Sequence, residues 1–172
     1  MEQEKVLKDQ VLSSENVARI LSKEWFVRGK LNSTAFTLNL GETYLSVNRT
    51  AVESFKADVE KFVMSHESYA FDDGVYKLSL LNVGEIRAID VKLGDTNMNI
   101  DVEVESRDTH TKSHAGIFTR FQNNNIKRGQ LIKVVSTEEE ISADSILLEV
   151  RSELLRMTTI EECQIISSRV LR

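Results

Sequence analysis

The residue in this chain best placed to do chemistry is His114, set in Ser113-His114-Ala115-Gly116-Ile117. An imidazole changes charge near neutral pH, so a histidine among small residues can hold an anion or act as a general base. The competing role is structural. There the ring donates to a backbone carbonyl and pins a loop, while Ala115 and Gly116 permit close packing. The structural role is the stronger expectation, and catalysis would need a second group within reach of the ring.

His114 lies in a window from Thr109 to Thr137 that contains no Asp or Glu but holds Lys112, Arg120, Lys127, Arg128 and Lys133. The chain as a whole carries −5 at pH 7, which leaves about −10 for everything outside the window. Clustered cations release counterions when they meet phosphate, and Phe118 and Phe121 would stack on bases if exposed. These five side chains are therefore the candidate anion-binding or nucleic-acid-binding set. Two observations favour internal pairing instead. The sequence pI is about 5.3, far from a dedicated nucleic-acid binder. The segment Asn97 to Ser106 also offers an acidic strand face for the cations to meet.

Other chemistries have little support. Asp108, His110 and His114 form a metal-like trio whose two histidines, four apart, would meet on one face if the segment were helical, but Thr109, Thr111 and Gly116 oppose a helix. No metal site is expected. The single cysteine, Cys163, excludes an internal disulfide and falls on an apolar stripe, where a free thiol behaves as a small core residue. There is no Gly-x-Gly-x-x-Gly or Walker-type loop, so no nucleotide cofactor is expected. The acidic start Met1-Glu2-Gln3-Glu4-Lys5 lacks the apolar run of a signal peptide, and no stretch is long and apolar enough to span a membrane. A cytoplasmic protein without a membrane partner is the expectation.

The elements that must position His114 follow from periodicity. At 172 residues one domain buries roughly 70% of its unfolded surface. Val17, Ile20, Leu21 and Trp25 fall at helical spacing and predict a first helix from Ser14 to about Trp25. Ser33-Thr34-Ala35-Phe36 suits a close backbone approach anchored by Phe36. Thr43 to Val47 reads as a strand. Thr50 and Glu53 form a capping-box pattern ahead of the stripe Val52, Phe55, Val59, Phe62 and Val63, which predicts a helix to about Met64 with a solvated outer face that includes Asp58.

Strands are then expected over Val75–Leu80, Gly84–Leu93 and Asn97–Ser106, the last two joined as a hairpin through Gly94-Asp95. In the last of these, Met98, Ile100, Val102 and Val104 alternate with polar residues. A further strand runs from Gln130 to Val135. A helix starts at Ser136 or Ser142 and continues through Ile146, Leu147, Val150, Leu154 and Leu155. Thr158 or Thr159 then caps a last helix carrying Ile160, Cys163, Ile166 and Val170. The prediction is one α+β domain over residues 1–172: a mostly antiparallel sheet, flanking helices and a C-terminal helical pair, with 136–172 as a helical extension.

Three segments together resemble a pattern in a widespread group of small bacterial proteins. They are Ser33-Thr34-Ala35-Phe36, Leu45-Ser46-Val47-Asn48 and Ser113-His114-Ala115, with Tyr76 and Gly84-Glu85-Ile86-Arg87 between them. The resemblance covers residues 20 to 120, implies kinship and carries no activity. It links the segments of Tyr44, Ser46, Glu85 and Arg87 to that of His114, which makes Ser46, Tyr44, Glu85 and Arg87 the candidate catalytic companions of His114. The chain departs from the pattern in having no proline near His114 and in extending beyond it. The favoured function is an accessory or binding module without catalysis of its own, acting with a larger bacterial protein through the added helices or the cationic window. Homo-oligomerisation is compatible with it. The alternatives are an enzyme using His114 and Arg87 on a phosphate-bearing or nucleotide substrate, and nucleic-acid binding through residues 112–133.

Overall fold

The computed structural model describes residues 10–93, 96–107, 111–134 and 139–166. Its strands are β1 (Asn16–Ile20), β2 (Phe26–Val27), β3 (Lys30–Leu31), β4 (Tyr44–Arg49), β5 (Val75–Asn82), β6 (Lys92–Leu93), β7 (Thr96–Asn97), β8 (Ile100–Ser106), β9 (His114–Phe121), β10 (Asn124–Asn125), β11 (Leu131–Lys133), β12 (Glu140–Ser142) and β13 (Thr159–Gln164). Its helices are α1 (Phe55–Ser65), α2 (Val83–Arg87) and α3 (Ala143–Met157), with a short 3-10 turn at Ser33–Phe36. The main sheet runs β10-β9-β4-β1-β5-β13, with β8 on the other side of β9, and every pairing in it is antiparallel. This is the α+β class with the mostly antiparallel sheet that the sequence predicts.

Two cores sandwich the sheet. On one face Val17, Leu21, Leu45, Val47, Leu81, Ala115 and Ile117 meet Ile146, Val150 and Leu154 of α3. On the other face Ala18, Ile20, Tyr76 and Leu78 meet Val59 and Val63 of α1. Each buried Val, Leu or Ile contributes about 1.5–3 kcal/mol relative to exposure. Together these contacts fix the strand register, because a slip of one residue would turn each apolar set outward.

The expected helix from Ser14 to Trp25 is instead β1, in the middle of the sheet. Val17 and Leu21 face one core while Ala18 and Ile20 face the other. A strand buried on both faces is apolar on both, and its residues fall into helical spacing by coincidence. The expected last helix is likewise a strand. Thr159–Gln164 pairs residue by residue with the outer edge of β5. Val170 and the basic end at Arg169 and Arg172 lie outside the described residues.

The C-terminal helical pair is therefore one helix, α3, followed by an edge strand, and α3 belongs to the main core. Gly84–Leu93 is not a long strand. Asn82 accepts from the Glu85 N–H and starts α2, and only Lys92–Leu93 pairs with Thr96–Asn97; the Gly94-Asp95 turn between them lies outside the described residues. The helix expected from Thr50 begins later, at Phe55, and the Thr50 hydroxyl instead donates to the Asn16 carbonyl at 2.9 Å. Ser142 is the N-cap of α3, accepting from Asp144; the alternative at Ser136 lies outside the described residues.

Candidate functional site

Alternation places His114, Gly116, Phe118 and Arg120 on one face of β9. The β4 register sets Asn48 beside His114, Ser46 beside Gly116 and Tyr44 beside Phe118. Gly116 is required there: a Cβ would come within 2.6 Å of the Tyr44 ring and 3.0 Å of Phe118. The Tyr44 ring thus lies flat over the strand, 5.9 Å from the His114 imidazole. His114 is 8% exposed, and its Nε2 lies 3.3 Å from the Ser46 hydroxyl.

The loop ahead of β9 is held by α1. Asp58 Oδ2 accepts from the Ser113 hydroxyl at 2.7 Å, the Ser113 N–H at 3.2 Å and the Ser54 hydroxyl at 2.9 Å. Ser113 also donates to Asn48 Oδ1 at 3.1 Å. Burial would raise the Asp58 pKa, but the hydrogen bonds from Ser113 and Ser54 outweigh it and hold the carboxyl below its ordinary 3.8. Asp58 is thus a buttress of the histidine loop, and not part of a solvated helix face.

A pocket of about 370 Å³ opens over this arrangement, with His114, Ser46, Asp58, Phe62, Tyr69 and Arg19 in its lining. Arg19 projects from β1. Its Nε donates to the Ala35 carbonyl at 2.5 Å and its Nη1 to the Ser46 carbonyl at 2.8 Å, and its guanidinium lies 4.9 Å over the Trp25 ring. It forms no ion pair within 4 Å among the described residues. Burial lowers its pKa to about 10, and the opposing influence of Tyr69 and Glu42 is smaller. The guanidinium stays charged at neutral pH, fixed by two neutral carbonyls.

Arg19 therefore joins the three segments on which the resemblance rests: it binds Ala35 of the first and Ser46 of the second, and Ser46 touches His114 of the third. Sequence reasoning missed it because Arg19 lay inside an expected helix. The available signal was a lone cation inside Val-Ala-Arg-Ile-Leu.

The other expected companions lie elsewhere. Arg87 belongs to a separate cleft, where it pairs with Glu103 and donates to Ser13 and to the Val11 and Val104 carbonyls. Glu85 is exposed on α2, beside Arg156 and Glu153. Of the catalytic candidates Ser46 meets His114 through its hydroxyl and Tyr44 lies beside it through its ring; the pairing of His114 with Arg87 is not formed.

The cationic window is divided as well. Arg120 is bound to Glu105 at 2.6 Å and to Asn125 at 2.8 Å, the internal pairing with the acidic strand. Lys112, Lys127, Arg128 and Lys133 are exposed. Lys112 precedes β9 and the other three follow β10, so they do not form one run along the chain. Phe118 is buried under Tyr44, 2% exposed, and cannot stack on a base. No group of three His, Cys, Asp or Glu side chains suited to a metal occurs among the described residues, and Asp108 and His110 lie outside them. No described helix is long and apolar enough to cross a membrane.

No protein-family model, no curated protein and no solved structure matches this chain.

Proposed function

We propose that the protein is a binding module without catalysis of its own, which takes a small ligand bearing a carboxylate or phosphate in the Arg19–Ser46–His114 pocket and acts with a protein partner. The observation that carries this reading is Arg19. A rigidly held guanidinium with no carboxylate within 4 Å among the described residues, on which Glu42 acts only at longer range, opens on a hollow of metabolite size and is prepared for an external oxyanion. Phe62 and Tyr69 supply apolar wall for the rest of the ligand, and Ser46 and His114 supply hydrogen bonds.

The acids of the pocket argue against proton transfer. Both Glu42 oxygens accept from Asn39, and Asp58 is held ionised by Ser113 and Ser54, which makes Asp58 a weak base. A second reading, an enzyme acting on a phosphate-bearing substrate, is favoured only by the 3.3 Å contact of His114 with the Ser46 hydroxyl. In that case Arg19 would take the place first assigned to Arg87. Nucleic-acid binding loses its main support with the division of the cations.

The test is calorimetric titration of the protein with inorganic phosphate, acetate and a nucleoside monophosphate. Saturable binding of at least one is expected, weakened about 10- to 100-fold by Arg19→Met, the loss of a charge-assisted pair. Arg19→Lys, which keeps the charge and loses the fork, should fall between the two. No heat with any probe, or equal affinity in wild type and a folded Arg19→Met, would refute the reading. Turnover of a phosphomonoester that disappears in Ser46→Ala would favour the enzyme instead.

A further inference from the structure

The last strand, β13, closes one side of the sheet, and no described strand pairs with its outer edge. Its backbone polarity can be assigned. Ile165 N–H donates inward to the Gly74 carbonyl at 2.9 Å, continuing the ladder in which Cys163 faces Tyr76 and Glu161 faces Leu78. In an antiparallel pair the amides alternate, so those of Ile160, Glu162 and Gln164 point outward with their carbonyls. An edge of this kind is a template for another strand.

The side chains say which strand. Ile160, 43% exposed, and Glu162 share one face, and Glu161 stands on the other. Glu162 is engaged by Lys77 at 3.2 Å yet its side chain remains 63% exposed, and Glu161 forms no ion pair within 4 Å among the described residues. Against a second copy of this chain, the antiparallel self-pairings centred on Glu161 or on Glu162 set a carboxylate directly against its own copy, and those centred on Ile160 or Cys163 place no basic residue opposite either glutamate.

We infer that β13 docks an extended segment of a partner protein, antiparallel, with two adjacent basic residues followed by an apolar one. In that register the first base faces Glu162, the second faces Glu161 and the apolar residue covers Ile160. The docking adds main-chain hydrogen bonds for affinity and uses the two glutamates for selection. The inference is independent of the Arg19 pocket, since no β13 residue lines that pocket.

The probe is a capped synthetic peptide, Thr-Val-Lys-Lys-Ile-Thr, added to the full-length protein and followed by amide NMR and fluorescence anisotropy. Before peptide is added, the amides of Ile160, Glu162 and Gln164 should exchange rapidly with solvent, and those of Glu161 and Cys163 slowly. Peptide should shift and protect the first three. Glu161→Lys with Glu162→Lys should weaken binding about tenfold, the loss and reversal of two cross-strand pairs. A Glu-Glu version of the peptide should not bind, and N-methylation of its pairing amides should abolish binding even with both lysines kept. Slow exchange at the three outward amides in the free protein would overturn the inference, because the edge would then already be covered. Binding that survives N-methylation, or a dimer joined through β13 in sedimentation, would overturn it too.

Discussion

Two of the arginine-lined hollows among the described residues differ in what meets the guanidinium. The larger, about 570 Å³, holds Arg87 and Arg120, each tied to a glutamate of β8. The smaller, about 370 Å³, holds Arg19, tied only to the carbonyls of Ala35 and Ser46. In the first the positive charge is neutralised within the fold, and the ion pairs fasten β8 to α2 and β9. In the second the geometry is fixed but the charge is not neutralised. Volume alone would rank the two hollows in the wrong order; an uncompensated charge marks the one prepared for a ligand.

Exchanging each arginine for methionine sharpens the contrast most. Arg87→Met leaves Glu103 without its cation and the Val11 and Val104 carbonyls without the guanidinium donor, and should cost about 2–3 kcal/mol in denaturant unfolding while leaving oxyanion affinity unchanged. Arg19→Met should reverse the pattern, with a smaller loss of stability and the loss of affinity. Comparable loss of oxyanion affinity in both variants would erase the distinction.

Gly116→Ala tests the packing of Tyr44 on β9 beside His114. The new Cβ would press on the Tyr44 ring, so a cost of about 1–3 kcal/mol is expected in thermal unfolding, along with a displaced Tyr44. Unchanged stability would mean that the ring is free to move.

Asp58→Asn has a smaller effect at neutral pH, about 1–2 kcal/mol for weakened hydrogen bonds. Its pH dependence is the more telling readout. Asp58 is held below 3.8 in the fold, so its stabilisation is complete above that value and is lost as pH falls through the depressed pKa. The variant should therefore show a flatter decline of stability in acid than wild type. Identical acid profiles would remove Asp58 from its role as buttress. Arg120→Met, at a surface-facing pair, should cost about 1 kcal/mol or less and let the Glu105 pKa rise from its depressed value.

The parts of the fold legible in the sequence are those with one wet face. The alternation of β8, the stripe of α1, the strand at Leu45 and Val47 and the anchor at Phe36 all follow from polar and apolar residues occupying opposite sides. The misread parts are those where that contrast fails. β1 is apolar on both faces, and β13 is polar along a strand whose existence depends on the distant edge of β5. The site divided in the same way. His114 stood out by residue type and Ser46 through the resemblance, whereas Arg19 acquires its meaning only when β1 lies between Ala35 and Ser46. Asp58 read as solvent-facing because no periodicity records that Ser113, 55 residues away, comes back to meet it.

The most direct test of the central claim is NMR of the arginine Nε–Hε groups during titration with inorganic phosphate. The Arg19 resonance is expected to shift saturably while those of Arg87 and Arg120, already held by glutamates, stay in place. Movement of all three in proportion to ionic strength, or of none, would contradict the claim that Arg19 alone among them is set for a ligand.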